Sequence, residues 1–144
     1  MLSIARLADD DRGRWQELFS LYNAFYGRSW PSETYDAAWA RLQRGTRLHA
    51  LGAKHGGRLV GIAHFLVHPS TTAADVCYLQ DLFTAVDARG RGVGRALIEE
   101  TTRWARTRGC SRVYWSTRES NVPARRLYDR VAVNKGFICY QIDL

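Results

Sequence analysis

The chain has 144 residues, of which 46% are hydrophobic and 24% are charged, and its formal net charge is +7. This length predicts a single domain, residues 1–144, with a core of its own. No apolar run approaches the roughly 20 residues that span a bilayer, and the N-terminus turns acidic too early for a signal peptide, so we expect a cytoplasmic protein with no membrane partner.

The first part of the chain predicts one strand, two helices and a hairpin. The acidic run Asp9–Asp11 marks a helix start, and apolar residues then recur at spacings of three and four. Ser32 is a good N-cap for the second helix. The turn His55–Arg58 joins two strands that must then be antiparallel. In chain order, these elements are a strand over Ser3–Leu7, a helix to about Tyr26, a helix from Ser32, and strands over Arg47–Lys54 and Leu59–Val67.

The second part predicts a parallel crossover. Val76–Thr84 is apolar on both faces, which suits a central strand. A strand, a helix and a strand in succession form a right-handed crossover. These elements are a strand over Val76–Thr84, a helix to about Arg108, a strand over Ser111–Thr117, a helix from Pro123 to about Val131, and a strand over Phe137–Leu144. The order β-α-α-β-β-β-α-β-α-β predicts an α+β fold with four helices and a mixed sheet of about six strands.

The stretch Leu82–Arg95 is built as an anion cradle. An apolar strand enters a turn rich in glycine and arginine, and a helix follows at once. Glycines allow the backbone to approach a phosphate closely, and the start of a helix offers free N–H groups and the positive end of its dipole. Arg89, Arg91 and Arg95 add positive charge. The turn therefore predicts a ligand that carries phosphates.

Residue types narrow the class of ligand. A P-loop needs a Gly-Lys-Ser or Gly-Lys-Thr triplet, which the chain lacks. A dinucleotide fingerprint needs a third glycine where Leu97 stands. The pattern Arg-x-x-Gly-x-Gly is matched in full by Arg89–Gly94. Because the arginines cluster here and in the next two helical stretches, a polyanionic cofactor is favoured over nucleic acid. The three cysteines are scattered with no Cys-x-x-Cys pair, so no metal site is expected.

Two segments carry a family resemblance. The sequence from Tyr78 to Ile98 resembles the acetyl-CoA site of the GNAT superfamily of N-acetyltransferases, and Asn121–Tyr128 with Gly136-Phe137 resembles the second signature of that superfamily. The strand Tyr-Leu-x-Asp-Leu-Phe is most similar to the histone, polyamine and small-amine acetyltransferases. The resemblance implies the α/β/α layers of the GNAT fold, a bulge in the central strand, and acetyl-CoA as cosubstrate.

The resemblance also assigns the cofactor contacts. The pyrophosphate is expected on the glycine turn, and the peptide-like pantetheine arm is expected to pair with exposed strand backbone. Asn121 is expected to bond the cofactor or to fix its loop. The implied cofactor-binding residues are Leu82, Phe83, Thr84, Arg89, Gly90, Arg91, Gly92, Val93, Gly94, Arg95 and Asn121.

The expected reaction is attack of a neutral amine on the thioester. Tyr128 matches the general acid of the family by position, and a tyrosine can give a proton to the leaving thiolate. Gln80 stands where polyamine-acetylating relatives have a glutamate base, and glutamine cannot take a proton. Asp81 would point to the opposite face under strict alternation, although a bulge could relax this. His64, Asp75 or a water chain to solvent are further candidates for removing the proton.

The acceptor is not encoded in these motifs. It is expected to be a small-molecule amine or a protein lysine, and a basic protein face would repel a polycation unless acidic side chains gather at the pocket mouth. Candidate residues for the pocket wall and its mouth are Tyr22, Tyr26, Trp30, Tyr35, Glu33, Asp36 and Asp75. The alternative function is a non-catalytic acyl-CoA-binding or sensory domain, because Gln80 replaces an acid. The single strand after Gly136 leaves no closing hairpin, so we expect a homodimer that exchanges C-terminal strands.

Overall fold

A computed structural model describes residues 1–144. The strands are β1 (Leu2–Ala5), β2 (His49–His55), β3 (Arg58–His68), β4 (Val76–Thr84) and β5 (Val113–Tyr114), and the helices are α1 (Arg12–Phe25), α2 (Ser32–Arg44), α3 (Val93–Thr107) and α4 (Val122–Val131). The α+β fold class, the four helices and the predicted element order as far as α4 are confirmed. Ser32 is the first residue of α2 and does not cap it through its side chain.

One mixed sheet carries the fold, with the strands in the order β1-β2-β3-β4-β5. The pairings from β1 to β4 are antiparallel, and β4 pairs with β5 in parallel. The crossover between those two strands contains α3, as their spacing predicts. The strand predicted over Ser111–Thr117 is reduced to two paired residues, Val113 and Tyr114.

Helices cover both faces of the sheet. Trp15 of α1 is fully buried and donates to His64 of β3 on one face, whereas Phe65 packs against Trp104 of α3 on the other. Gly61 allows α3 to approach closely, because a Cβ there would lie 2.7 Å from Val93 Cγ1. These contacts form the α/β/α layers.

A bulge interrupts the pairing of β3 with β4, as the resemblance implied. His64 pairs with Asp81, but the next residue, Phe65, pairs with Leu79. Gln80 is therefore the extra residue on β4, and Asp81 is turned onto the face that carries His64. Of the two possibilities left open for Asp81, strict alternation and a bulge that relaxes it, the structure has the bulge.

The sheet has five strands rather than about six, because Phe137–Leu144 pairs with no strand. The segment lies outside the core, and Phe137 is 92% exposed. No backbone N–H or C=O group of this segment bonds to another backbone group. No helix combines the length and the apolar character needed to cross a membrane.

Candidate functional site

The glycine turn presents a row of free backbone donors. The six N–H groups from Gly90 to Arg95 donate to no other backbone group, and the first hydrogen bond of α3 runs from the Ala96 N–H to the Gly92 carbonyl. Gly90 and Gly92 have φ angles of 77° and 78°, in the region that favours glycine. The turn thus aims its donors and the positive end of α3 at one place, which suits a pyrophosphate.

The three arginines of the turn differ in their contacts. The Arg89 Nε–H donates to the Thr84 carbonyl at 3.2 Å, and its guanidinium lies over Phe83. Arg95 pairs with Glu99 along α3. Arg91 makes no ion pair and is exposed. Arg91 is therefore the side chain most available to an incoming phosphate, whereas Arg89 braces the end of β4.

One edge of β4 is open beside this turn. β5 pairs only with Cys77 and Tyr78, so the edge of β4 from Leu79 to Thr84 has no strand on that side. This stretch includes Leu82, Phe83 and Thr84, which the resemblance assigns to the pantetheine arm. An open edge can pair with a peptide-like ligand in the way an added strand would.

A small pocket lies where β4 and β5 diverge. Side chains from α1, β4, the end of β5 and α4 enclose it. Its lining residues are Tyr22, Tyr26, Leu79, Gln80, Leu82, Trp115, Ser116 and Tyr128. Of the four aromatic wall residues expected between the first two helices, two line the pocket, whereas Tyr35 is buried among core rings and Trp30 bonds to Asn23.

Tyr128 projects from α4 into this pocket, with its ring 5.4 Å from Trp115. Burial, with a smaller contribution from neighbouring Tyr26, raises the pKa of Tyr128 to about 12. The hydroxyl therefore keeps its proton at neutral pH, as a proton donor must. No protein group bonds that hydroxyl, so it is available to a ligand.

Gln80 reaches the pocket with no charge of its own. The Tyr22 hydroxyl lies 3.4 Å from the Gln80 backbone carbonyl. Burial, and after it the charge of Asp81, raises the pKa of Tyr22. Asp81 is therefore close enough for its charge to act on the Tyr22 hydroxyl, although Asp81 does not itself line the pocket.

His64 is not available as a base. It is 3% exposed, and both of its ring nitrogens are bonded: Nδ1 lies 2.9 Å from Asp81 Oδ2, and Nε2 lies 2.9 Å from Trp15 Nε1. Asp75 precedes β4 at the end remote from the glycine turn, where its carbonyl accepts the Ser111 N–H. Among the candidate bases, only Asp81 is connected to the pocket.

Asn121 holds the start of α4. Its side-chain amide donates to Thr117 Oγ1 at 3.0 Å, and its carbonyl accepts the Arg125 N–H. Of the two roles expected for this residue, fixing the loop is the one visible in these contacts.

The expected cluster of carboxylates does not form at the pocket mouth. Asp36 pairs instead with Arg12. Two arginines flank the pocket residue Tyr26, with the guanidinium carbons of Arg28 and Arg118 at 5.3 and 5.1 Å from its ring centroid. Neither arginine has an ion-pair partner. Sequence reasoning missed both, since an isolated loop arginine carries no local signal.

The residues present fit acetyl-CoA. The free N–H row suits its pyrophosphate, the open edge of β4 suits its pantetheine arm, and Tyr128 lies at the end of that path. The structure contains no group of His, Cys, Asp and Glu side chains that could hold a metal ion.

Comparisons with known proteins agree with this geometry. The family model for the acetyltransferase (GNAT) family matches residues 15–132. D-amino-acid N-acetyltransferase HPA3 of Saccharomyces cerevisiae is 33% identical over 136 residues, covering 91% of this chain and 84% of the relative. Glucosamine 6-phosphate N-acetyltransferase of Trypanosoma brucei brucei is 32% identical over 46% of this chain and 47% of its own length.

A solved structure of AAC(6')-Iy with a bisubstrate analogue shares the fold. It has a TM-score of 0.88 and 17% identity, and the match covers 100% of this chain and 99% of that one. The chain therefore belongs to the acetyltransferase (GNAT) family, and it is an acetyl-CoA-dependent N-acetyltransferase.

Proposed function

We propose that the protein transfers the acetyl group of acetyl-CoA directly to a small-molecule primary amine, with Tyr128 as general acid. The observation that carries this proposal is the placement of the Tyr128 hydroxyl in the pocket between β4 and β5, beside the open edge of β4. Acetyl-CoA supplies a thioester, and the amine nitrogen forms a C–N bond to its carbonyl carbon as the C–S bond breaks. Tyr128 gives its proton to the departing sulfur and is reprotonated from solvent.

The amine must also lose protons. A free alkyl amine has a pKa of about 10.4 and is mostly charged at neutral pH. We assign Gln80 to aligning the amine, through its backbone carbonyl, and Asp81 to receiving a proton through the Tyr22 hydroxyl. The support is the hydrogen bond from the Tyr22 hydroxyl to the Gln80 carbonyl, together with the negative charge of Asp81, which helps to raise the pKa of Tyr22.

A thiol-release assay with acetyl-CoA and a broad amine panel tests the activity. The panel includes amino acids, amino sugars, polyamines and a lysine peptide, so that a protein acceptor would also be found. Turnover of a small amine supports the proposal. Tight CoA binding without any turnover would favour the acyl-CoA-binding alternative, for which Gln80 in place of an acid is the motivation.

The acceptor class follows from the charges around Tyr26. Arg28 and Arg118 lie on that ring without acidic partners, so we propose an acceptor that carries an acid group beside its amine. Two relatives are named for such acceptors, a D-amino acid and glucosamine 6-phosphate. The same charges disfavour polyamines and basic histone tails, which the strand motif alone had suggested.

Arg28→Gln combined with Arg118→Gln should raise KM for an amino acid by about 10-fold or more, because charge-assisted hydrogen bonds to the carboxylate are lost. The matched control is the amide of the same amino acid, which lacks the negative charge and should show an unchanged KM. Equal changes for the acid and the amide would contradict the assignment. Steady-state kinetics on both substrates make the comparison.

We further propose a homodimer in which each C-terminal segment joins the partner's sheet. Apolar side chains alternate along the segment and are exposed, with Tyr140 at 86% and Ile142 at 87%. The outer edge of β5 is one of the two unpaired edges of the sheet, the other being that of β1. An exposed apolar strand and an unpaired sheet edge each favour association with another chain, and pairing between two copies would cover both.

Ile138→Lys with Tyr140→Lys should convert the dimer to a monomer, because both side chains lie on the apolar face of the segment. Gln141→Lys with Asp143→Lys alters the alternate face and is the matched control, which should stay dimeric. Light scattering measures the mass. A wild-type mass of 16.4 kDa at working concentration, that of one chain, would refute the dimer.

We propose that residues 1–144 form one catalytic domain, consistent with the buried cluster that joins residues from both halves of the chain. The three free cysteines fit a reducing compartment, and we propose the cytoplasm.

A further inference from the structure

A line of hydrogen-bonded polar groups runs from the core to Asp81, the residue next to Gln80 of the pocket. It starts at Trp15, which is fully buried on α1, continues to His64 on β3, which is 3% exposed, and ends at Asp81 on β4. The two hydrogen bonds along this line are each 2.9 Å between heavy atoms. Buried polar groups are costly unless they are bonded, so a line of this kind inside a core needs an explanation.

The chemistry of the indole determines the tautomer of His64. The Trp15 Nε1–H can only donate, so His64 Nε2 must accept and carries no proton. The proton of the neutral ring is then on Nδ1, where it donates to Asp81 Oδ2. Trp15 therefore orients a single N–H of His64 toward the Asp81 carboxylate and holds it there.

The bulge at Gln80 places Asp81 within this arrangement. Because of the extra residue, Asp81 lies opposite His64 and on the face that carries Tyr22. The carboxylate has one oxygen bonded to His64, and its charge acts on the Tyr22 hydroxyl at the pocket wall. Tyr22 lines the pocket, and its hydroxyl also lies 3.4 Å from the backbone carbonyl of Gln80, the residue next to Asp81.

We propose that His64 is a positioning residue, fixed by Trp15, that holds the Asp81 carboxylate against Tyr22 so that the proton lost by the acceptor amine passes through the Tyr22 hydroxyl to Asp81. The Tyr22 O–H proton moves to Asp81 as the amine proton moves to the Tyr22 oxygen, and solvent later removes the proton from Asp81. This inference rests on the proposed acetyl transfer to an amine.

Two amide substitutions separate positioning from packing. His64→Asn keeps an N–H where Nδ1 donates to Asp81, whereas His64→Gln keeps an oxygen where Nε2 accepts from Trp15 and loses the donor to Asp81. Each variant buries one amide group and leaves one former partner of His64 unbonded, which is Trp15 in His64→Asn and Asp81 in His64→Gln. We expect His64→Asn to retain kcat within about threefold and His64→Gln to lower kcat by about 10-fold or more, with KM for acetyl-CoA unchanged in both.

A double-mutant cycle with Asp81→Asn tests whether His64 acts through Asp81. Asp81→Asn alone should lower kcat, and adding His64→Gln should cost no further activity. Additive losses would show that His64 acts elsewhere. Equal losses in the Asn and Gln variants, following their melting temperatures, would show a structural role and overturn the proposal.

The tautomer is measured without substrate. With ¹⁵N-labelled histidine, NMR should show His64 protonated at Nδ1 and bare at Nε2, and Trp15→Phe should relax this pattern. A proton on Nε2 in the wild-type protein would overturn the proposal. A wild-type protein that acetylates no amine would contradict the proposed function, whereas turnover with equal losses in the two variants contradicts only the role of His64.

Discussion

Tyr128→Phe should lower kcat by about 100-fold or more, because the pocket then contains no proton donor at the departing sulfur. The substitution removes only the hydroxyl, to which no protein group is bonded, and it keeps the ring contact with Trp115. KM for acetyl-CoA and the melting temperature should therefore change little. Initial rates at saturating acetyl-CoA, with the acceptor identified by the amine panel, measure the effect.

Tyr26→Phe is the matched control for this experiment. Tyr26 lines the same pocket but is not assigned to the leaving group, so its loss should change kcat only a few-fold. An unchanged kcat in Tyr128→Phe would remove Tyr128 from the mechanism. Equal losses in the two variants would point to a general effect on the pocket rather than to proton donation.

The burial that raises the pKa of Tyr128 to about 12 also affects proton transfer from this residue to the departing sulfur. A free thiol has a pKa of about 8.5, which alone would make proton transfer from Tyr128 unfavourable. However, the thiolate forms in the same buried pocket, and burial disfavours an anion there. The pKa of the departing thiol is therefore raised as well. Because Tyr128 retains its proton, its ionisation should cause no fall in kcat until the pH approaches the pKa of this tyrosine.

Local patterns predicted β4 and the glycine turn that follows it well. The bounds of β4, Val76–Thr84, agree with the prediction, because an apolar run is followed directly by a glycine turn. The cradle from Gly90 to Arg95 likewise depends only on neighbours in sequence. The backbone conformation that glycine permits and the start of a helix are both local properties.

The acceptor half depends on contacts between distant residues and was predicted less well. Trp15 lies 49 positions before His64, and the fold brings Arg28 and Arg118, which are distant in the sequence, to the ring of Tyr26. The bulge at Gln80 decides which face Asp81 occupies, and the resemblance implied a bulge in this strand without giving its position. The segment Phe137–Leu144 has the alternation of a strand but no partner within the chain, and pattern alone does not supply one.

The glycine turn should also be sensitive to an added negative charge, which would weaken the binding of acetyl-CoA. Gly94→Glu should raise KM for acetyl-CoA by about 100-fold or more, because it puts a negative charge among the free N–H groups that face the pyrophosphate. Gly94 is the second residue of α3 and has no positive φ angle, so the backbone accepts a side chain there. An acid in the first turn also interacts favourably with the helix dipole, so folding should be preserved while cofactor binding is lost.

Gly94→Ala separates charge from bulk in that experiment. A Cβ at this position would lie 3.2 Å from Leu127 Cδ2, the end of a flexible side chain that can move by a few tenths of an ångström. The alanine variant should therefore raise KM for acetyl-CoA only a few-fold. Calorimetric titration with CoA, alongside melting curves, distinguishes lost binding from lost structure. If Gly94→Glu binds CoA as tightly as Gly94→Ala does, the pyrophosphate does not lie at the start of α3, and the assignment of the turn from Arg89 to Arg95 is wrong.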